Sequence, residues 1–261
     1  MDAAELDRLI AAAEAAADVA GAAIRPYFRQ PFEVQLKADR TPVTMADRSA
    51  EAAMRAVLTE RCPEDGILGE EFGLKQAQSR RVWVLDPIDG TRAFLTGRPI
   101  FGTLIGLLED GQPLLGVIDQ PITQERWVGA RGRRTTFRGP FGGRVGCRLC
   151  PALAAAELAA TSPAMFQGAL MPRFQRLAQA VQRVSWGGDC YNYGLLTLGH
   201  IDVIAEADLK IWDWVPLVPI VEGAGGCLTD WQGNALSPKS KGDVLALGNP
   251  RLLGPAVDLL K

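Results

Sequence analysis

Apolar positions recur at helical spacing through the Ala-rich stretch 3–24, where Leu6, Leu9, Ala13, Ala16, Ala17 and Ala20 predict an amphipathic helix. EVQLKADRTPVT (33–44) reads as a short strand followed by a polar loop stopped at Pro42. Thr44 and Asp47 stand at capping-box spacing, with Asp in place of the usual Glu, and open a second helix over about 45–61. RVWVLD (81–86) is a buried strand, and 101–121 holds two strands joined at Asp110-Gly111 as an antiparallel hairpin. RWVGARGRRTTFRG (126–139) continues that sheet.

After Pro151 the pattern changes to alternating strands and helices. LAATSP (158–163) is strand-like, FQRLAQAVQRV (174–184) and YNYGLLTLGH (191–200) are helical, and IDVIAEA (201–207) is a strand. WDWVPLVPIVEGAGG (212–226) reads as one helix that tolerates internal prolines and ends in glycine. DVLALGN (243–249) is a late strand and PRLLGPAVDLLK (250–261) the closing helix. No repeat or long linker interrupts the chain. The expected architecture is a layered α/β (α+β) structure with a mixed lobe over 1–140 and an α/β lobe over 141–261, joined as one compact unit.

At 261 residues, 48% hydrophobic and 22% charged, the chain has the composition of a globular protein with a large core. The net charge of -2 gives no basic footprint for nucleic acid. No apolar run is long enough to span a membrane, and the start, MDAAELDRLI, lacks a basic and apolar leader. A cytoplasmic protein is the expectation. Five cysteines do not suggest a disulfide framework, and the Cys147–Cys150 pair has no second CxxC or His pair to complete a zinc site. His200 is the only histidine, which removes Ser-His-Asp and Cys-His nucleophile systems and His-rich metal sites.

The acids carry the remaining signal. In WVLDPIDGTRAF (83–94) an apolar strand runs into Asp86, and Asp89 follows three positions later. Two carboxylates so close repel unless a positive charge lies between them. Gly90 and Thr91 offer backbone N–H groups at a turn, a cradle for an anion. GILGEEFG (66–73) ends another apolar run in Glu70 and Glu71, and IWDWVP (211–216) sets Asp213 between two tryptophans. A strand-end carboxylate taken alone is commonly a cap or a surface acid. Together these acids suit metal ions bridging carboxylates and a phosphate, and oxygen-only ligands favour Mg²⁺ over zinc.

GEEFG, WVLDPIDGTRAF and WDWVPLVPIVEGAGG resemble the signatures of the inositol monophosphatase family of Mg²⁺-dependent, often lithium-sensitive phosphomonoesterases. The likeness runs in order over nearly the whole chain and includes K-x-D-x-TPVT-x-x-D at 37–47. It implies an α-β-α-β-α layered sandwich and two or three Mg²⁺ ions per site, with Li⁺ as a candidate inhibitor. By resemblance, Glu70, Asp86 and the Ile88 carbonyl hold one metal, and Asp86, Asp89 and Asp213 a second. Gly90 and Thr91 bind phosphate through backbone N–H, and Asp47, besides capping its helix, orients the Thr91 hydroxyl to activate water. Catalysis is thus assigned to Asp47, Glu70 and Thr91. Lys37 is either part of a mobile flap or a solvated loop lysine. The resemblance further implies a homodimer, a small phosphate-ester substrate, and neither nucleic acid nor membrane as partner.

WGGDCYNY (186–193) and GTRAFLTGRPIFGTLIGL (90–107) resemble the histidinol-phosphatase branch of the family. Histidinol carries an ammonium and a titratable imidazole, so its pocket should offer acids beyond those spent on metal. Asp189 and Glu206 are those acids, while Trp186 and Tyr191 are available to pack an imidazole and Asn192 to meet the amine. The expected substrate-contacting set is Asp89, Trp186, Gly188, Asp189, Asn192, Glu206 and Asp213. Asp189 is also a plausible turn aspartate after two glycines, and the aromatics plausible core residues. A broader inositol- or sugar-phosphate phosphatase is the alternative within the family. A catalytically silent metal-binding protein is the alternative outside it, opposed by the intact acid set. The arginines of RGRRTTFR (131–138) read as a solvated strand face.

Overall fold

Uninterrupted apolar runs mark strands covered on both faces, and the computed structural model of the chain shows why this sequence has so many. It describes residues 2–31, 35–36, 42–76 and 78–261, with the backbone alone for 35, 36, 42 and 43. Lys37 lies outside the described residues. The elements in order are α1 (Ala3–Ile24), β1 (Gln35–Leu36), β2 (Pro42–Val43), α2 (Met45–Arg61), β3 (Gly66–Gly69), β4 (Gly73–Lys75), β5 (Arg81–Asp89) and α3 (Thr91–Leu95). There follow β6 (Gly102–Glu109), β7 (Gln112–Gln120), β8 (Glu125–Ala130), β9 (Thr136–Arg138) and β10 (Glu157–Ala160). The chain closes with α4 (Leu170–Ala180), β11 (Arg183–Trp186), α5 (Asp189–Thr197), β12 (Val203–Glu206), α6 (Ile211–Trp214), α7 (Leu217–Gly223), β13 (Cys227–Thr229), β14 (Val244–Leu247) and α8 (Leu253–Leu260).

Two sheets alternate with three helical layers. The first has seven strands in the order β4-β3-β5-β6-β7-β8-β9, and the second five in the order β11-β10-β12-β14-β13. Side chains divide by the period of two that a strand imposes. Trp83 and Leu85 of β5 join the core under α1 and α2, while Val84 between them faces the central helices α5, α6 and α7. In β12, Ile204 meets that same central layer, and Val203 and Ala205 pack beneath α4 and α8. The result is the α-β-α-β-α sandwich.

Glycines decide how closely the central layer sits on the first sheet. Gly106, Gly116 and Gly129 are cross-strand partners on β6, β7 and β8. A Cβ on Gly116 would overlap the Pro216 carbonyl, and one on Gly129 would meet the Ile220 backbone. Side chains are absent from this row because the start of α7 lies against it. The same contact fixes Asp213, on the short helix just before Pro216.

Most predicted elements occupy the expected stretches, α1, α2 and the 101–121 hairpin included. Two differ. The helix expected over 174–184 ends at Ala180, and Arg183–Trp186 instead pairs parallel with β10 as an edge strand. Its mostly exposed residues leave no apolar alternation to read. The single helix expected over 212–226 divides into α6 and α7 at Val215-Pro216. Pro219 survives in the first turn of α7 because an N–H there has no intrahelical acceptor to lose. Among the described residues, no helix is long and apolar enough to cross a membrane.

Candidate active site

Strand direction brings the first acids together. β3 and β5 are parallel and in register, with Gly69 beside Leu85, so both leave the sheet at one edge. The Glu70 N–H donates to the Leu85 carbonyl at 3.1 Å, which seats Glu70 next to Asp86. Residues three apart on a regular strand face opposite sides. Asp86 and Asp89 escape this because β5 bulges between them: Asp86 pairs with Leu104 and Asp89 with Gly102, so two residues oppose Thr103. The buried Thr103 hydroxyl donates to the Pro87 carbonyl at 2.8 Å, and Asp86 Oδ1 accepts the Ile88 N–H at 2.9 Å. The geometry at Pro87 is therefore a bulge within a nine-residue strand.

Asp213 enters from the central layer, where its Oδ2 accepts the Lys210 N–H at 2.7 Å and caps α6. Asp86, Asp89 and Asp213 each place a carboxylate oxygen within 4.8 Å of the others. Beside them, Gly90 adopts a left-handed conformation (φ 89°) and starts α3, leaving the first N–H groups of that helix without intrahelical acceptors. The Thr91 hydroxyl donates to the Ile88 carbonyl at 3.1 Å. Asp47 Oδ2 accepts the Thr44 N–H at 2.7 Å and the Thr44 hydroxyl at 2.5 Å. The capping role of Asp47 is thus present, whereas no Asp47–Thr91 hydrogen bond forms among the described residues. The Asp47 carboxylate is occupied by its own cap.

Crowding of like charge in a poorly solvated cleft raises these acids. Burial, followed by the charges of Glu70, Asp89, Asp213 and Asp47, holds Asp86 well above the ordinary carboxylate range. Asp89 is pushed up to about 8 by burial and by Asp213, against the opposing N–H of Cys190. Asp213 is pushed up to about 7, chiefly by burial, with Glu70 and Glu206 adding to it. Burial is also the main cause at Asp47, which is raised despite its Thr44 hydrogen bonds.

These groups titrate higher folded than unfolded, so the folded state binds the extra protons. Their stabilising contribution is present at low pH and is lost as pH rises through 7 to 8. In EDTA, the melting temperature is expected to rise when pH is lowered from 8 to 6. Mg²⁺ should raise it more at pH 8 than at pH 6. A metal-free melting temperature that falls over this interval contradicts the repulsive cluster.

A cavity of about 230 Å³ opens beside the three acids. Five carboxylates line it, from Asp89, Asp189, Glu206, Asp208 and Asp213, and among the described residues no cationic side chain does. Asp189 opens α5 with φ 44°, a left-handed conformation that Asp tolerates better than most residues. Its carboxylate fills the space a Cβ on Gly90 would need, so Gly90 has a steric as well as a conformational reason to be glycine. Burial first, then Asp89 and Glu206, pushes Asp189 up to about 8. The first turn of α5 also reaches Asp89, whose Oδ2 accepts the Cys190 N–H at 2.6 Å. Glu206 is buried, with one oxygen accepting from Thr161 N–H at 2.8 Å and the other from Tyr193 hydroxyl at 2.9 Å.

Other expected contacts fall elsewhere. Asn192 is buried and folds back over Gly188, donating to the Gly187 carbonyl at 2.8 Å, so it shapes the turn that carries Asp189. Trp186 is 46% exposed on the edge strand β11 and packs on Phe174, with ring centres 5.3 Å apart, outside the cavity lining. Tyr191 points away from the cavity, its hydroxyl donating to Glu125 at 2.7 Å and its ring edge-on to Trp127. Tyr193, Met165, Asp208 and Leu209 line the cavity without having been singled out. Tyr193 was accessible to inspection, since it follows Asp189 by four positions on a helix and so shares its face.

An all-oxygen cluster of mutually repelling, poorly solvated carboxylates fits hard divalent cations, and it lies beside an open helix start. The inositol monophosphatase family model matches residues 5–257. The bifunctional phosphatase IMPL2, chloroplastic, of Arabidopsis thaliana is 47% identical over 231 residues, covering 88% of this chain and 66% of that protein. A histidinol-phosphatase of Mycobacterium tuberculosis is 40% identical over 208 residues, covering 78% and 80% of the two chains. The solved structure of an inositol monophosphatase from Zymomonas mobilis superposes with a TM-score of 0.89 at 51% identity, covering 100% of this chain and 99% of that one. The chain belongs to the inositol monophosphatase family.

Proposed function

We propose that this protein is a Mg²⁺-dependent histidinol-phosphate phosphatase, converting L-histidinol phosphate and water to L-histidinol and phosphate in histidine biosynthesis. The observation that carries the choice of substrate is the cavity lining. Asp189 and Glu206 supply negative charge beyond the three-acid cluster, offset only in part by Arg92 near Asp189, while Asp208 is paired with Lys210 at 2.6 Å. A pocket of that charge suits the ammonium of histidinol, whereas a neutral polyol leaves the acids uncompensated. The histidinol-phosphatase from Mycobacterium tuberculosis supports the same reading.

In this reading Glu70, Asp86 and the Ile88 carbonyl hold one Mg²⁺, and Asp86, Asp89 and Asp213 another. The Ile88 oxygen keeps a second lone pair beside the bond it receives from Thr91. Cations held by these residues would supply neutralisation of phosphoryl charge and a lowered pKa for water, which would allow attack near neutral pH without a histidine base. The chain's own groups do the positioning. Gly90 and Thr91 N–H groups hold the phosphate oxygens, and Thr91 Oγ1, whose own proton goes to the Ile88 carbonyl, accepts a hydrogen bond from the water and orients it. The P–O bond to the alcohol breaks as water's oxygen bonds to phosphorus, the water's proton passes to solvent, and the leaving alkoxide takes a proton from solvent. Asp189 and Glu206 face the alcohol portion, where the substrate's amine lies.

The Zymomonas mobilis structure keeps inositol monophosphatase activity as the second reading. Comparing kcat/KM for L-histidinol phosphate and myo-inositol 1-phosphate with Mg²⁺ separates the two. A preference of a hundredfold or more for histidinol phosphate is expected, about 2.7 kcal/mol of discrimination. A preference for the inositol ester keeps the phosphatase chemistry and removes the substrate assignment.

A further inference from the structure

Glu51 touches neither the cavity nor the three-acid cluster, yet its carboxylate is wholly buried. Burying an ionised carboxylate is costly unless its hydrogen bonds are replaced, so its partners show what it is for. One oxygen accepts the Glu71 N–H at 2.7 Å, and the other accepts the Phe72 N–H at 3.2 Å and Arg55 Nε at 2.7 Å. Arg55, one helical turn further along α2, donates in addition to the Gly73 carbonyl. One acid and one base on the same helix face therefore clamp both ends of the turn that follows Glu70. On the strand side, a Cβ on Gly69 would overlap the Glu51 carboxylate. The glycine preceding Glu70 is required because the acid occupies its side-chain space. Asp47, one turn earlier on α2, lies on that face too. The helix that presents Asp47 thus also sets the backbone from which Glu70 projects.

We infer that Glu51 is a positioning residue for Glu70: by fixing the N–H groups of the next two residues it holds the Glu70 carboxylate in place for a divalent cation. The inference rests on the proposed role of Glu70 as a metal ligand. A purely structural Glu51, tying α2 to the β3–β4 connection, would contribute to melting temperature and leave cation affinity unchanged.

Mg²⁺ binding to the full-length protein by titration calorimetry distinguishes these roles, measured where every variant is folded. Glu51→Gln keeps the shape but places an amide NH₂ against backbone donors. Removal of a hydrogen-bonding partner behind a metal ligand typically weakens binding by roughly 10- to 100-fold, so a rise of at least about tenfold in the Mg²⁺ dissociation constant is expected by that precedent. kcat should recover at saturating Mg²⁺. Gly69→Ala reaches the same clamp from the strand side and should weaken Mg²⁺ binding likewise. If Glu51→Gln does not fold, Glu51→Asp, which keeps the charge but is one methylene too short, takes its place. Glu70→Gln is the reference. Weakened binding in Glu70→Gln with an unchanged constant in both clamp variants overturns the inference alone. An unchanged constant in Glu70→Gln overturns the ligand role on which it rests.

Discussion

Asp86→Asn should lose turnover by on the order of a thousandfold or more, equivalent to about 4 kcal/mol of transition-state stabilisation, while its melting temperature in EDTA rises above that of the unmodified protein. The opposite signs follow from one feature. Asp86 is buried amid Glu70, Asp89, Asp213 and Asp47, and their charges with burial hold its carboxyl well above its usual range. Without metal that charge is a liability, and an amide removes it at almost no change in volume. Asn keeps an oxygen for the Ile88 N–H that Asp86 Oδ1 accepts at 2.9 Å, so the bulge at Pro87 need not change. With metal the same charge would help hold the proposed cations. Phosphate release with Mg²⁺ and thermal melts in EDTA check both halves. Near-normal turnover would sink the metal assignment, and a lower metal-free melting temperature would mean that the acids are not in repulsion.

Asp189→Asn carries the second large effect, on substrate choice. Asparagine tolerates the left-handed backbone at this position, where alanine adds strain, and it fills the same space against Gly90. Only the charge changes. Loss of a charged hydrogen bond to a cationic substrate is worth about 2 to 3 kcal/mol, so kcat/KM for L-histidinol phosphate should fall roughly 30- to 150-fold. Turnover of myo-inositol 1-phosphate should change only a few-fold, since its alcohol portion has no charge to lose a partner. Equal losses on the two esters would assign Asp189 to the phosphate end, close to Gly90, and remove it from substrate selection.

Fold and site were legible to different depths. α1 and α2 were readable because a helix repeats its apolar face every few residues, and the β6–β7 hairpin because its turn residues and its apolar runs lie in one stretch. The edge strand β11 escaped. β11 is mostly exposed, so its place beside β10 is set by pairing across the α4 connection and leaves little trace in its own residues. The same limit applies to Asn192 and Tyr191. Their types suit a polar pocket, but the turn at Gly187 and the packing of Trp127 take them elsewhere.

By itself the sequence determined the chemical inventory: acids in short motifs, a glycine and a threonine where an anion is to approach, and a single histidine that rules out the usual bases. Such information is local, carried by residue type and by spacing within one element. Only the tertiary structure decided which acids share a space. Parallel pairing of β3 with β5 set Glu70 beside Asp86, a bulge turned Asp89 to the same side, and a row of glycines let α7 settle close enough to deliver Asp213. The first turn of α5 joined Asp89 from 101 residues away. These are consequences of register and close packing, which depend on pairs of distant residues and so have no signature in any one segment.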